Sequence, residues 1–455
     1  MSFLDTLIEN IPEIKPSTQK KLSFTSKLKW TGIILALYFL LGLIPLYGLG
    51  QNALEQFAFL GTILGASFGS IISLGIGPIV TGSIVLQLLQ GSGIIHFDLT
   101  SDVGKRRFQG LQKLFSIAFI IIEAFIFVMM GGLSPAAGIS PLILILQLCI
   151  GGVFILMMDE IVSKYGFGSG ISLFIAAGVS QQIFIQLFSP LPSPFNPEIA
   201  SGAIPVIIQS LGQGDTLQAG LKIAQVLATI AVFLFVVYVQ AMKVEIPLSF
   251  GRIAGQGIRW PLQFMYANVL PIILVSALVA NIQLLARLLQ NMGAPLLGTF
   301  AGNAPISGFV YWLTQPNILQ AAIVGSITWV MIGQALTYTV VYVIGATVFS
   351  IFWVQTSGLD ASSQAKQMIS SGLQIPGFRR DQRVLEKLLK RYIWPLTVMG
   401  GIAVGLLASM ASLTGAIGTG TGLLLTVMII YKLYEDIAKQ HMYDMNPMMR
   451  KFISI

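Results

Sequence analysis

The chain has 455 residues, of which 55% are hydrophobic and only 10% are charged. Soluble domains carry about 25% charged residues, so this composition excludes a soluble globular protein and indicates a polytopic membrane protein. The net charge of +8 would suit a nucleic-acid-binding protein, but the basic residues are distributed as membrane topology requires. The only cysteine, Cys149, excludes an intrachain disulfide. Two isolated histidines provide no metal site, and we expect no cofactor.

Ten apolar segments of membrane-spanning length follow one another along the chain. Their approximate bounds are 28–48, 74–91, 108–130, 142–162, 169–188, 218–241, 264–289, a long segment ending near 354, 393–413 and 417–433. When alternate loops are assigned to the two sides, all but Lys222 and Arg287 of the 26 basic residues fall on one side. The positive-inside rule therefore predicts a multi-pass protein of the cell membrane with both termini in the cytoplasm.

The first 27 residues precede the first span and contain Leu4, Leu7, Ile8 and Ile11 at helical spacing. This spacing predicts an amphipathic helix that lies on the cytoplasmic membrane surface. A disordered leader is the alternative interpretation.

The second apolar run, from Gln56 to Phe97, contains no Asp, Glu, Lys or Arg over 42 residues. A single crossing needs about 20 residues, yet the charge of the flanks puts them on opposite sides, so the run crosses once with residues to spare. We expect residues 57–70 to form a short half-helix that re-enters from outside. The crossing would begin near Leu74, with Pro78 in the first helical turn. One long tilted helix is the alternative. A half-helix that enters from outside either binds an ion at its N-terminus or stoppers a pore, and the lack of carboxylates nearby favours the stopper.

A proline-rich stretch, residues 189–197, divides the spans into five and five. Five is odd, so the two halves enter the membrane in opposite senses, as in an inverted repeat. The predicted organisation is a first half at 28–189, an external linker at 190–217 and a second half at 218–455. Within the second half we interpret 291–317 as an external excursion and 318–354 as one long tilted helix.

The remaining charged residues point away from catalysis. Glu123 is the only ionisable residue deep in a predicted span, where it is either a coupling residue or an acid bonded to a neighbouring helix. Two peripheral histidines cannot build a catalytic triad, so we expect no enzyme activity. The basic cytoplasmic loops at 242–263 and 355–392 either hold the topology or dock an anionic partner, such as lipid headgroups or RNA.

Short motifs spread over nearly the whole chain resemble those of the SecY (Sec-alpha) family in its archaeal form, the pore subunit of the protein-translocation channel. The matching strings are KLKWTG at 27–32, LGIGPIV at 74–80, QLL at 87–89, DEIVSKYG at 159–166, GSGI at 168–171, FIAAG at 174–178, VEIPL at 244–248, TSGLD at 356–360, KRY at 390–392, PLT at 395–397 and GTGLLL at 420–425.

This resemblance implies an all-α fold in which ten transmembrane helices form two inverted five-helix halves, hinged between the fifth and sixth spans. It also implies a re-entrant plug at 57–70 and a ring of apolar side chains that seals the pore by dewetting. The plug residues are Phe57, Leu60, Ile63, Leu64 and Phe68. The pore-ring residues are Ile76, Val80, Ile171, Ile175, Ile273 and Leu425.

The resemblance further implies a lateral gate between the second and seventh spans, through which an apolar segment leaves for the lipid. Gln87 and Asn281 are the matching polar residues, and we expect them to hydrogen-bond across the closed gate. Arg252, Arg379 and Arg380 fall where the family docks the ribosome. The implied partners are a single-span SecE or gamma-type subunit, a small beta subunit, the ribosome, signal sequences with their nascent polypeptides, and membrane lipids.

The predicted function is therefore a non-enzymatic channel that passes unfolded secretory polypeptides and releases transmembrane segments sideways, with no direct small-molecule ligand. An inverted-repeat secondary transporter of small solutes is the alternative, with Glu123 as its natural coupling residue. A lipid scramblase is a third possibility, suggested by the glycine-rich spans.

Overall fold

Long α-helices make up most of the structure, a computed structural model. It describes residues 10–15, 22–52, 54, 61, 64–91, 94–95, 97, 101–193, 196–250, 257–267, 269–302, 304–370, 373–374 and 382–445.

Ten helices lie at the positions of the ten predicted spans. In the first half they are α1 (Phe24–Leu43), α2 (Gly77–Gly91), α3 (Asp102–Met129), α4 (Pro141–Tyr165) and α5 (Gly170–Phe188). In the second half they are α7 (Thr216–Ala241), α8 (Leu270–Asn291), α11 (Trp329–Thr356), α13 (Gln382–Leu413) and α14 (Gly420–Met445). Within the described residues, eight of these helices are long and apolar enough to cross a membrane; α2, with 15 residues, and α14 complete the set. An all-α polytopic membrane protein is confirmed.

Shorter elements form the connections. The helices among them are α6 (Ala203–Gln213), α9 (Phe309–Trp312), α10 (Ile318–Val324) and α12 (Ala361–Ser370). The strands are β1 (Leu49–Asn52), β2 (Leu133–Pro135), β3 (Pro192–Ser193), β4 (Asn196–Ala200), β5 (Lys243–Phe250), β6 (Gly257–Gln263), β7 (Thr299–Ala301), β8 (Ala304–Ser307) and β9 (Leu373–Gln374). They pair antiparallel as β1–β2, β3–β4, β7–β8 and the three-stranded sheet β6–β5–β9.

Local polar residues begin several of the long helices. The side chain of Ser101 accepts a hydrogen bond from the backbone N–H of Gly104 at the start of α3. Asp215 caps α7 and Thr328 caps α11 in the same way. Each cap satisfies a backbone donor that the first helical turn leaves unpaired. These residues therefore set where the membrane helices begin.

Several predicted boundaries need correction. The crossing helix α2 begins at Gly77 rather than near Leu74, although Pro78 does lie in its first turn. The seventh crossing helix begins at Leu270 rather than 264, because residues 264–267 form bends and turns after β6 ends at Gln263. The expectation of one helix over 318–354 is wrong: Gly325 has φ +73°, which ends α10 before α11 begins. The external linker contains the β3–β4 hairpin and α6. Of the residues that predict an amphipathic N-terminal helix, Leu4, Leu7 and Ile8 lie outside the described residues.

The helices pack in two groups that correspond to the two halves. In the first group α2 packs on α3, α3 on α4, and α1 on α4; in the second, α7 and α13 pack on α14, and α8 and α13 pack on α11. Between the groups, α2 contacts α8 and α11, while α5 contacts α14. One continuous hydrophobic cluster runs through both groups, and the residues described below lie along it.

Candidate functional site: a sealed collar between a vestibule and a plug segment

The six predicted ring residues come together in one hydrophobic cluster. Five of them are at most 2% exposed, and Ile171 is half-buried and packs against the rest. They project from the start of α2, from α5, α8 and α14, which belong to both groups of helices. We call these six side chains the collar. Because the collar is buried and purely apolar, it excludes water while offering no strong interaction to a passing chain.

A cavity of about 1070 Å³ lies beside the collar. Its lining includes Ala176, which is next to Ile175 of the collar, and Ile429, one helical turn beyond Leu425. The cavity also touches Trp260 of β6 and Leu359, which belong to the loops predicted to be cytoplasmic. Lys243 and Glu435 form an ion pair of 3.4 Å between residues of its lining. We call this cavity the vestibule.

The plug segment lies against the collar through its backbone. The N–H of Ile76 donates to the carbonyl oxygen of Leu64 over 2.7 Å, and Leu64 is 2% exposed. A Cβ on Gly65 would lie 3.6 Å from Cγ2 of Ile76 and 3.4 Å from Cβ of Phe174. Residues 64–65 therefore fill the space directly beside the collar.

Gly75 makes this close approach possible. Its φ is +55°, and a Cβ at this position would lie 2.3 Å from the Leu64 carbonyl oxygen. Any other residue would face both a left-handed backbone penalty and a clash with the plug segment. The LGIGP string thus serves the plug as well as the start of α2.

The base of the plug segment is tied to the end of α1. The N–H of Leu46 donates to the Gly69 carbonyl oxygen over 2.9 Å, and that of Ile71 donates to the Ile44 carbonyl oxygen over 3.0 Å. The described residues 64–70 form turns, so the predicted half-helix does not continue to Ser70. Left-handed conformations at Gly65 and Gly69 break it. Of the predicted plug residues, Phe68 packs against the continuous hydrophobic cluster that runs through both groups of helices. Phe57, Leu60 and Ile63 lie outside the described residues.

A chain of polar contacts crosses from α3 to α8 through Thr81 of α2. The Asn281 amide donates to the Thr81 hydroxyl over 2.9 Å. That hydroxyl lies 2.8 Å from the Gly77 carbonyl oxygen and 3.1 Å from Glu123 Oε1, and its one proton serves one of these acceptors at a time. Glu123 is therefore bonded to a neighbouring helix, one of the two interpretations made from the sequence.

This geometry corrects the expected Gln87–Asn281 bond. Asn281 pairs with Thr81, which lies six residues before Gln87 and thus about 9 Å away along α2. The amide oxygen of Gln87 is buried and has no hydrogen-bond partner within the described residues. Sequence reasoning missed Thr81 because an isolated threonine in an apolar helix most often bonds its own backbone, as Thr81 also does to Gly77.

The two basic loops meet in the sheet β6–β5–β9. Strand β9 pairs with β5 at Ser249–Gln374 and Phe250–Leu373, which joins loop 242–263 to loop 355–392. The hydroxyl of Tyr266 donates to the Leu359 carbonyl oxygen over 2.7 Å and adds a second link. Burial raises the pKa of this tyrosine above its usual range, and the nearby charge of Asp360 adds to the shift. Arg252, Arg379 and Arg380 lie outside the described residues, but the strands that flank them belong to one platform.

A strap of N-terminal chain, residues 12–15, also crosses the ends of α3 and α4 that are predicted to be cytoplasmic. Lys113 donates to the Pro12 carbonyl oxygen over 2.6 Å and to Glu160 over 2.7 Å. Lys164 pairs with both Glu13 and Glu160. The stretch 12–15 is therefore bound to the first half through the Glu13–Lys164 ion pair and through hydrogen bonds of Pro12 and Ile14.

Comparison with known proteins agrees with this geometry. The SecY family model matches residues 70–434. The protein translocase subunit SecY of Methanothermobacter thermautotrophicus is 47% identical over 453 residues, which cover 99% of this chain and 98% of that protein. A solved structure concerning the SecY plug domain and the closed state of the translocation channel has a TM-score of 0.82 at 42% identity and covers 97% of each chain. Sec61 in the canine ribosome–channel complex has a TM-score of 0.80 at 41% identity, with 97% of each chain covered.

A bundle of ten helices with a sealed apolar collar defines a membrane channel of the translocon type. The chain belongs to the SecY family.

Proposed function

We propose that the chain is the pore subunit of a protein-conducting channel that passes unfolded secretory polypeptides across the cell membrane. One observation carries the proposal: the collar, at most 2% exposed at five of six positions, has the vestibule beside it and the plug segment bonded to it. An extended polypeptide would enter the vestibule, cross the collar and displace the plug segment. Membership of the SecY family supports this path.

Cross-linking tests the path directly. A stalled secretory chain should form disulfides with cysteines placed at Ile76 and Ile175, in a background in which Cys149 is replaced by serine. Leu146→Cys is the matched control, because Leu146 is 54% exposed on the outer surface of α4. Equal cross-linking at all three sites, or cross-linking at the control alone, would refute a path through the collar.

The plug assignment extends to residues 57–70. Their removal should raise the ion leak of the channel in planar bilayers, because the collar alone would then separate the two aqueous sides. If the ion leak of the deletion variant equals that of the unmodified channel, the plug assignment is refuted. The proposed polypeptide path does not depend on this result.

We place the lateral gate at the contact between α2 and α8, with Asn281, Thr81 and Glu123 as its polar lock and Gln87 one to two turns nearer the cytoplasm. A hydrogen bond between membrane helices contributes about 0.6–2 kcal/mol, so this lock holds the gate closed without making it permanent. A sufficiently apolar segment gains more than that by entering lipid. Release of transmembrane segments through this contact follows from the same arrangement.

The platform formed by β5, β6 and β9 supports ribosome docking through Arg252, Arg379 and Arg380. Arg379→Glu should weaken ribosome binding, and the loss should be largest at low salt because exposed charges are screened as salt rises. Lys222→Glu, at the predicted external end of α7, is the control. Binding that is equally strong in Arg379→Glu and the control would dismiss the platform as the docking surface.

The proposed assembly includes a single-span subunit of the SecE or gamma type and a small beta subunit, and both termini of the chain lie in the cytoplasm. The channel itself is passive and performs no chemistry, so an external motor such as the translating ribosome drives transport. A secondary transporter would instead depend on Glu123 as a coupling residue. Glu123→Gln should preserve polypeptide transport; loss of a small-solute flux in that variant would favour the transporter.

A further inference from the structure

The connection between α8 and α11 has an unusual composition for an external segment. From Leu288 to Leu359 the chain runs for 72 residues without Asp, Glu, Lys or Arg. The part between the two helices, residues 292–328, folds as β7, β8, α9 and α10. We call it the distal cap. A surface region exposed to water carries about one charged residue in four, so the distal cap does not have the composition of a solvated domain.

One edge of the distal cap is both apolar and exposed. All nine residues from 322 to 330 are exposed. Among them Ile323 is 40% exposed, Val324 51%, Ile327 49% and Trp329 88%. Clustered exposed apolar side chains of this kind mark a surface that contacts a partner or a membrane. We call residues 322–330 the apolar edge.

The apolar edge continues the outer surface of a membrane helix. Leu336, Val340 and Ile344 of α11 follow at helical spacing and are each more than half exposed. With 28 residues, α11 is about 42 Å long, close to the thickness of a bilayer with its headgroup regions. The start of α11 therefore falls at the level of the headgroups, where tryptophan is enriched in membrane proteins.

The distal cap is also bound to α8. The backbone N–H of Phe300 donates to the side-chain oxygen of Gln290 over 2.7 Å, and Gln290 Nε2 returns a bond to the Phe300 carbonyl oxygen over 3.1 Å. A second bond runs from Gln283 of α8 to Thr314 over 3.3 Å. Because α8 carries Asn281, movement of α8 away from α2 carries the distal cap with it.

We propose that the apolar edge inserts into the outer leaflet of the membrane as an interfacial anchor, and that it couples α8 to the lipid. The outer leaflet is favoured over a protein partner because the edge contains no charged residue and is continuous with the exposed apolar side of α11. Insertion rests on the structure and on the membrane orientation predicted from the basic loops. Coupling to gating rests, in addition, on the proposed function.

Insertion is tested by fluorescence on the full complex in proteoliposomes. In the Cys149→Ser background, Ile327→Cys is labelled with an NBD probe, and lipids carry a nitroxide either near the headgroup or near the chain end. The matched control is Gln213→Cys, an exposed position two residues from the charged Asp215. The Ile327 probe should emit at shorter wavelength than the control and be quenched most by the shallow nitroxide.

Two results would overturn insertion. A probe at Ile327 that is as accessible to aqueous iodide as the Gln213 control would place the edge in water. A probe shielded from both iodide and lipid nitroxides would mean that a protein covers the edge. Neither result depends on polypeptide transport, so both are separate from a failure of the proposed function.

Coupling is tested with Ile327→Asp, which is expensive to keep in the leaflet, and with the milder Ile327→Gln in case the first variant fails to assemble. Open probability of the unmodified channel should change with bilayer thickness, and this dependence should flatten in both variants. Gln213→Asp should keep the full dependence. An undiminished dependence in Ile327→Asp and Ile327→Gln would refute coupling while leaving insertion intact.

Discussion

The α2–α8 contact and the α5–α14 contact both join the two groups of helices, yet they are built differently. Helix α2 packs more extensively on α3 of its own group than on α8, and its described polar contact with α8 is the Thr81–Asn281 bond. Helix α5 packs more extensively on α14 of the other group than on α4 of its own. One contact is a thin polar lock and the other is a broad apolar seam. This difference indicates that the bundle can open at the α2–α8 contact while the α5–α14 contact holds the two groups together.

The turn before α14 strengthens the seam at its far end. The N–H of Gly418 donates to the side-chain oxygen of Gln186 in α5 over 2.8 Å. The N–H of Ile417 donates to the hydroxyl of Thr229 in α7, within the second group, over 2.9 Å. The seam therefore includes a hydrogen bond between the backbone of this turn and a side chain of α5, in addition to its apolar contacts. A hinge on this side and a gate at α2–α8 are the roles that this contrast suggests.

The largest expected effect comes from Gly75→Val. The new side chain meets the Leu64 carbonyl oxygen and a left-handed backbone, at a cost of about 2 kcal/mol or more, so plug contact with the collar should be lost. We expect the ion leak in planar bilayers to rise by about tenfold or more. Gly32→Ala is the control, because no atom lies within 4 Å of its added Cβ. If the ion leak of Gly75→Val equals that of the unmodified channel, the seal does not depend on contact between the plug segment and the collar.

Val179→Ala should weaken the seam without opening the gate. Val179 is fully buried and lies within 3.4 Å of the space beside Gly422 of α14, so the loss of two methyl groups costs about 1–3 kcal/mol. Thermal unfolding of the purified complex should shift to lower temperature, while the ion leak stays near that of the unmodified channel. A raised leak at unchanged stability would reverse the roles assigned to the two contacts.

Asn281→Asp should open the gate with little effect on thermal stability. The new carboxylate cannot donate to Thr81; if it accepts the one hydroxyl proton instead, Glu123 loses that bond and two acidic side chains lie close together, so the closed state loses about 0.6–2 kcal/mol. Open probability should rise by about 3- to 30-fold, measured by single-channel recording. Thr81→Ser retains the hydroxyl and should gate normally; similar behaviour of the two variants would argue against the lock.

The smallest effect is expected from Gly91→Ala at the cytoplasmic end of α2. The added Cβ would lie 2.5 Å from the ring of Phe352 in α11, but a side chain can turn aside where a backbone cannot. We expect a rise in open probability of no more than about threefold, equivalent to roughly 0.6 kcal/mol. If the effect were as large as that of Asn281→Asp, the contact between Gly91 and Phe352, and not only the Thr81–Asn281 bond, would hold the gate closed.

The sequence predicted the spans and the family because both depend on signals that survive without tertiary structure. Apolar length and basic loops locate the helices, and the SecY motifs are distributed in order along the chain. The SecY family and the all-α fold are confirmed. The partner of Asn281 could not be predicted, because the relative depth of α2 and α8 is set by packing that no single helix encodes.

Two other misses have physical reasons. In the sequence, Gly325 does not differ from other glycines of the same apolar run. Its positive φ ends α10, whereas Gly345 lies inside the uninterrupted helix α11. Strand β5 was not predicted, because its residues were interpreted only as part of a basic loop. Its apolar residues Val244, Ile246 and Leu248 nevertheless alternate with Glu245 and Pro247, as in a strand. Its pairing with β9 joins residues more than 120 positions apart, which local periodicity cannot indicate.

The bonds between the end of α1 and the base of the plug segment bear on how the protein is made. The contacts from Ile44 to Ile76 join residues that leave the ribosome close together, long before the second half is synthesised. Contacts of such short sequence separation form early because little chain entropy is lost in closing them. The first half can therefore form its plug contacts before the second half is synthesised, so that the two halves close around a stopper that is already in place.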